Sequence, residues 1–300
     1  MAEPHDIQAL QQHCEERMRQ GARSFSLAAL LFDANTRSAV QFLYAWCRHC
    51  DDQIDEATHP AEAEARLSHL VQQTHMALGD RPVEDESFAA LRWVFTTYEI
   101  PAEYAFELLE GMRMDLDHRS YQTLEDLKLY CFRVAGVVGL MMTHIMGVSH
   151  ERALKHAVDL GMAMQMTNIA RDIAEDRQLG RVYIPQAWLG HDDRPPSRMT
   201  AAAKTLVDTA ENYYQSGLAG LDYLPINAGL AISSAAMIYR EIGREVVRRG
   251  EHAWDERVVI SFPRKLFLAV KGVAAMIPVI LTRVRRRWRK QNIERVWRYS

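Results

Sequence analysis

The stretch GMAMQMTNIARDIAED, residues 161–176, decides the fold. Its apolar residues recur at spacings of three and four rather than alternating, which is the period of an α-helix. On that helix Gln165, Asn168, Asp172 and Asp176 share one face. The approach to the motif is apolar, so the polar row is expected to point inward. Buried carboxylates are costly unless they are paired or bind metal. An amide oxygen beside carboxylates is ordinary ligation for a hard cation. Arg171 and Arg181 would add fixed charges for phosphate oxygens. Two readings stand open: a structural polar network, or a divalent-cation site.

A second acidic pair lies earlier in the chain, in CRHCDDQIDE at 47–56. Asp51 and Asp55 are i,i+4, and Tyr44 and Arg48 fall in the same narrow stripe, with Asp52 off to its side. The plain alternative is a solvated face with an Arg48–Asp51 ion pair. Two such pairs in one chain suggest carboxylates facing each other across a bundle interior. Carboxylates that hold Mg²⁺ usually do so together with substrate phosphates, so a helical Mg²⁺–diphosphate enzyme is the leading expectation. Ser24 and Ser26 precede an apolar run and read on spacing as a helix cap. The other reading is a hydroxyl-bearing loop near a bound phosphate.

The rest of the 300 residues follows the same helical period. Helices are expected over 36–56, 60–78, 88–98, 101–114, 123–146, 151–174, 201–224, 230–249 and 264–289, with a turn-rich stretch at 180–196. Segment 123–146 is apolar nearly all round, the mark of a central helix. Its Gly136 and Gly139 make sense where something approaches the backbone closely. No linker or repeat divides the chain. The expectation is an all-α, single-domain helical bundle over residues 1–300.

Hydrophobic residues are 48% of the chain, enough for a large core. The four cysteines show no disulfide framework, and Cys47–Cys50 lacks the partners of a zinc set. The N-terminus has no signal-peptide core, so a cytoplasmic location is expected. The net charge of −3 hides an asymmetry: residues 257–300 carry 12 Lys/Arg and one acid, leaving 24 basic and 38 acidic residues for the first 256. Residues 266–282 are mostly apolar and the next eight contain six basic residues and Trp288. This basic C-terminal segment, about 264–300, reads either as a core helix with a solvated tail or as a segment lying on an anionic bilayer. The acidic body argues against nucleic acid.

The segments SFS at 24–26, YAWCRHCDDQID at 44–55, GMRMDLDHRSY at 111–121, YCFRVAGVVGLM at 130–141 and TNIARDIAEDRQLGRVYIP at 167–185 resemble the squalene/phytoene synthase family of head-to-head prenyl transferases. The likeness runs from about residue 24 to 265. It implies a class I isoprenoid synthase bundle around a central apolar cavity. The reaction implied joins two geranylgeranyl diphosphates through a cyclopropyl intermediate, prephytoene diphosphate, to phytoene. By the same resemblance Asp51, Asp55, Asn168, Asp172 and Asp176 would hold Mg²⁺, with Mn²⁺ as an alternative. Ser24, Ser26, Tyr44, Arg48, Arg171, Tyr239 and Arg257 would contact diphosphate. Tyr130 and Tyr183 would lie near the reacting carbons, with Gln165 on the same inner face. No NADPH is expected. The phytoene product is insoluble in water, which favours peripheral contact with the inner face of the membrane. Farnesyl diphosphate as substrate, giving dehydrosqualene or squalene, is the rival. A non-catalytic membrane assembly factor of the same fold is the other, against which the intact aspartates argue.

Overall fold

The computed structural model describes residues 7–21, 27–117, 120–189 and 196–298, and among these there is no strand. Thirteen α-helices build the bundle over the described residues. The first, α1 (Ile7–Gly21), was not expected from sequence, yet Leu10, Cys14 and Met18 repeat every four residues along its buried face. Then come α2 (Ala34–Asp55), α3 (Pro60–Leu78), α4 (Glu86–Thr97) and α5 (Glu103–Leu116). Local chemistry sets several starts. Asp33 caps α2, accepting from the Thr36 backbone N–H at 3.0 Å and from its hydroxyl at 2.8 Å. Pro60 opens α3 at a position where its missing N–H costs nothing. Thr123 and Asp126 form a reciprocal capping box at α6 (Leu124–Cys131).

The expected helix over 123–146 is interrupted. After α6 a π-helical turn spans Phe132–Gly136, and α7 (Val137–Ile145) follows. Such a turn inserts an extra residue, which re-aims the side chains on either side of it. Tyr130, before it, faces a cluster of polar residues, whereas Val134, Val138 and Met142 line an apolar cavity.

The centre of the bundle is α8 (Glu151–Gln178), covered by α7, the π turn, α10 (Pro196–Ala219) and α11 (Ile226–Arg249). It passes the π turn and α7 at glycine distance. A Cβ on Gly161 would lie 2.3 Å from the Ala135 carbonyl oxygen, and one on Gly139 would lie 2.4 Å from that of Ala157. Both contacts are backbone to side-chain position, with no flexible atom to yield. The expected close approach is therefore of one helix to another.

The turn-rich stretch contains the short α9 (Gln186–Leu189), and α10 tightens into a 3₁₀ turn at Gly220–Tyr223. At the end of the chain the single expected helix is two, α12 (Phe262–Ala275) and α13 (Ile277–Arg298), parted at Met276. Pro278 explains the break, since it lacks an N–H and its ring collides with the carbonyl four residues back. Helix α12 docks on α11 through Ser233 and Ser234, whose hydroxyls donate to the carbonyls of Gly272 and Ala269 at 2.9 and 3.0 Å.

Gly161→Ala is expected to lower stability by about 2 kcal/mol or more through overpacking where α8 crosses the π turn. Gly147→Ala, at φ +72° with open space around it, should cost only about 1 kcal/mol. Urea unfolding of the two variants, with equal losses, would contradict the crossing account.

Candidate active site

Three helices end in the same place, and each ends on an aspartate. Asp55 is the last residue of α2, Asp115 stands one residue before the end of α5, and Asp176 lies in the last turn of α8. A helix C-terminus carries partial negative charge, so carboxylates there are disfavoured twice: by the dipole and by each other. Burial adds a third penalty. It is the main cause that lifts Asp51 and Asp115 to about 6 and Asp176 to about 7, with repulsion from Asp55 on Asp51 and from Asp172 on Asp176 adding to it.

Arginines partly answer this charge. Arg181 donates to Asp55 at 2.7 Å, joining the two acidic motifs across 126 residues of sequence. Arg171 forks onto Asp172, its Nε–Oδ1 distance being 2.7 Å, and Arg257 reaches the other oxygen of Asp172 at 3.1 Å. Arg48 departs from the expected pairing. It binds Asp52 at 2.6 Å more closely than Asp51 at 3.3 Å, and Asp52 also accepts from Arg17 at 2.8 Å. Asp52 thus ties α1 to α2 and leaves Asp51 the freer carboxylate.

The remaining polar face of α8 points inward as expected. Asn168 donates to Gln165 at 3.3 Å, while its own Oδ1 is buried without a partner. A buried amide oxygen with nothing to accept from is an unmet acceptor, which a cation would satisfy. Tyr239 is half-buried in the field of Arg171 and Asp172, and desolvation pushes its hydroxyl up. Tyr44 is half-buried at the mouth of the cavity.

Tyr130 and Tyr183 stack with ring centroids 4.8 Å apart, and both hydroxyls donate to Asp115, at 3.0 and 2.7 Å. Tyr121 completes the aromatic group at 5.6 and 5.9 Å from them. Sequence reading assigned no role to Asp115 or Tyr121. The segment GMRMDLDHRSY contains both, but Asp115 has no second acid four residues away, so a search for i,i+4 pairs passes over it. Ser24 and Ser26 lie outside the described residues.

The five expected metal-binding residues do not converge into a closed cage. Among the described residues, no three His, Cys, Asp or Glu side chains are close enough to hold an ion by themselves. The arginines occupy the carboxylates instead. The donor set nevertheless fits Mg²⁺ or Mn²⁺: hard oxygens, an unmet amide oxygen and carboxylates held at raised pKa. An open set of this kind suits an ion that arrives with phosphate oxygens.

Below the charged end lies an apolar cavity of about 270 Å³. Tyr44, Gln165 and Tyr239 line its charged end, and Val40, Met146, Ala153 and Leu224 lie at the far end. Cys47 also lines it, and burial pushes its thiol up to about 12.

An apolar cavity capped by acidic helix ends is the architecture of a class I isoprenoid synthase. The sequence matches the squalene/phytoene synthase family over residues 18–264. It is 43% identical over 285 residues to a 15-cis-phytoene synthase of Pantoea ananas, covering 89% of this chain and 92% of that one. A 15-cis-phytoene synthase of a Paracoccus strain is 40% identical, covering 84% of this chain and 87% of that one. Among solved structures, a dehydrosqualene synthase superposes with a TM-score of 0.81 at 29% identity, over 90% of this chain and 97% of that one. A squalene synthase from Alicyclobacillus acidocaldarius gives 0.74 at 25%, over 81% and 95%. The chain belongs to the squalene/phytoene synthase family.

The fold carries a charge it stores at a cost, and that cost has a sign. Asp115 has a folded-state pKa of about 6, above the ordinary carboxylate value near 4. The folded state therefore holds its proton longer than the unfolded one, and stability is lost as pH rises between about 4 and 6. Asp115→Asn should gain in melting temperature relative to wild type across that interval and level off above it. A constant difference from pH 4 to about 7 would contradict the burial of that charge.

Proposed function

We propose that this protein joins two geranylgeranyl diphosphates head to head, through prephytoene diphosphate, to phytoene. The observation that carries the reading is the length of the apolar cavity beneath the charged site. Its α8 wall runs from Gln165 to Ala153, twelve residues, or ~18 Å at 1.5 Å per residue. An extended prenyl chain gains roughly 4.5 Å per five-carbon unit, from four bonds of ~1.5 Å. Four units need ~18 Å and three need ~14 Å on that basis, so the geranylgeranyl chain fills the wall. Relatives at 40–43% identity named 15-cis-phytoene synthase support the same substrate. The farnesyl reading has in its favour the superpositions on a dehydrosqualene synthase and a squalene synthase, at 29% and 25% identity.

In this reading Asp51, Asp55, Asn168, Asp172 and Asp176 would hold Mg²⁺, which supplies Lewis acidity at the leaving diphosphate. Arg48, Arg171 and Arg257 grip phosphate oxygens, exchanging their present carboxylate partners for them. Tyr44 and Tyr239 donate hydroxyl hydrogen bonds to the same oxygens, a role the family resemblance also gives to Ser24 and Ser26. The Tyr130 and Tyr183 rings are fixed by Asp115, so their π-faces meet a developing allylic cation at a set place. Gln165 marks the boundary between charged and apolar ends. The apolar walls exclude water from the cation.

The direct test is incubation with Mg²⁺ and, separately, geranylgeranyl and farnesyl diphosphate, without NADPH, with extracts read by mass spectrometry. A forty-carbon product with a conjugated triene is expected, and Asp172→Asn should reduce it by about a hundredfold or more while circular dichroism stays unchanged. A thirty-carbon product alone would move the substrate to farnesyl diphosphate.

Peripheral membrane contact belongs to the same reading. Segment Phe262–Arg286 is long and apolar enough to cross a bilayer by length and composition, and little of it is buried. On α12 an exposed stripe of Phe262, Leu266, Val270 and Val273 continues on α13 as Ile277, Leu281, Val284 and Trp288. The break at Met276 favours a segment lying along the surface. So does Arg283, which anchors α13 by donating to the Leu221 carbonyl at 2.9 Å. Cations beside the stripe, including Lys271 and Arg285, suit anionic headgroups. Leu281→Ser with Trp288→Ser should weaken binding to phosphatidylglycerol vesicles about tenfold. Unchanged sedimentation with such vesicles would remove this face from the account.

A further inference from the structure

The far end of the cavity is apolar except for one imidazole and the Thr143 hydroxyl, which donates to the Gly139 carbonyl at 2.8 Å. His156 lines it from α8, and Gly220 of the 3₁₀ turn closes against it. A hydrogen-bonded chain stands behind the ring. Lys155 donates to Asp159 at 2.7 Å, and Ser216 of α10 gives its hydroxyl hydrogen to the same carboxylate oxygen. That hydrogen is then committed, so at 3.2 Å the Ser216 oxygen accepts from Nδ1–H of His156. One tautomer and one ring orientation result. Tyr223 lies alongside at 6.1 Å between centroids. Gly220 leaves no room behind the ring: a Cβ there would stand 2.6 Å from the His156 Cβ. A side chain held from both sides on the lining of a substrate cavity cannot fold away as a longer chain enters.

We infer that His156 sets how long a prenyl chain the cavity accepts, acting as a stop held by Ser216, Asp159 and Gly220. This rests on the reading of the cavity as a prenyl site, and the distances agree with it. His156 lies nine residues from Gln165, ~14 Å along the α8 axis. The last five-carbon unit of a geranylgeranyl chain therefore reaches the ring, which leans over the turn N-terminal to its own Cα, and a fifth unit would have to displace it. A role confined to tying α8 to α10 is the plain alternative. It would change stability and leave the choice of substrate alone.

The two predictions for chain length have opposite signs. His156→Ala removes the stop and is expected to raise kcat/KM for geranylfarnesyl diphosphate over geranylgeranyl diphosphate about tenfold. Gly220→Ala presses the ring inward and is expected to shift the balance from geranylgeranyl toward farnesyl diphosphate by a similar factor. Each variant is compared with wild type on all three diphosphates, with Mg²⁺ present and products identified by mass. Either shift, in a variant whose melting transition remains cooperative, supports the stop. Unchanged ratios in a folded, active variant overturn it and leave a structural role. Should one variant fail to fold, the other decides. Absence of hydrocarbon from every diphosphate with the wild-type protein would instead overturn the proposed function, which separates the two failures.

Discussion

Negative charge is gathered where negative charge is least welcome. Asp55, Asp115 and Asp176 sit at the C-terminal ends of three helices, near Asp51 and Asp172, and burial raises the pKa of Asp51, Asp115 and Asp176. A protein selected for stability alone would place lysine or arginine at such ends. Arg181, Arg171 and Arg257 offset part of the charge, but the Asn168 carbonyl oxygen remains without a donor. The arrangement is a demand for cations that the chain does not itself meet. In the proposed function, Mg²⁺ arriving with diphosphate would answer it, and the arginines released from carboxylates would become free to bind phosphate.

Much of the remaining structure serves to hold those helix ends over an apolar cavity. Helix α8 approaches α7 through Gly139 and the π turn through Gly161, which brings the cavity walls together without filling the space between them. The π turn between α6 and α7 lets one continuous run of sequence present Tyr130 to the polar end and Val134, Val138 and Met142 to the cavity. Asp115 then fixes both tyrosines by their hydroxyls, so the aromatic faces at the boundary between charge and hydrocarbon cannot turn. In the proposed function, prenyl chains below and diphosphates above would be separated by residues whose orientation is locked from behind.

The fold was legible because its signals are local. The period of three and four residues gave helices over 60–78 where α3 spans Pro60–Leu78, and 36–56 where α2 spans Ala34–Asp55. The inward polar row on α8 was read from four residues on one turn after another. Pro278 carried the signal for the break at Met276, which the expected helix over 264–289 overlooked. What stayed hidden was long-range. Asp115 takes its partners from 15 and 68 residues away, and Arg181 meets Asp55 across 126. No spacing rule connects such positions. Arg48 shows the same limit, since it pairs with Asp52, which also accepts from Arg17 of α1, a helix the sequence reading left out.

The central claim is that the acidic helix ends wait for a cation delivered with diphosphate. It is tested most directly by the melting temperature of the protein with Mg²⁺ alone, with inorganic diphosphate alone and with both together. Linkage predicts a small shift for each alone and a much larger rise for the pair, because only together do they meet both the carboxylates and the arginines. Asp176→Asn should lose most of that joint rise. Additive small shifts, or an equal joint rise in Asp176→Asn, would contradict the account.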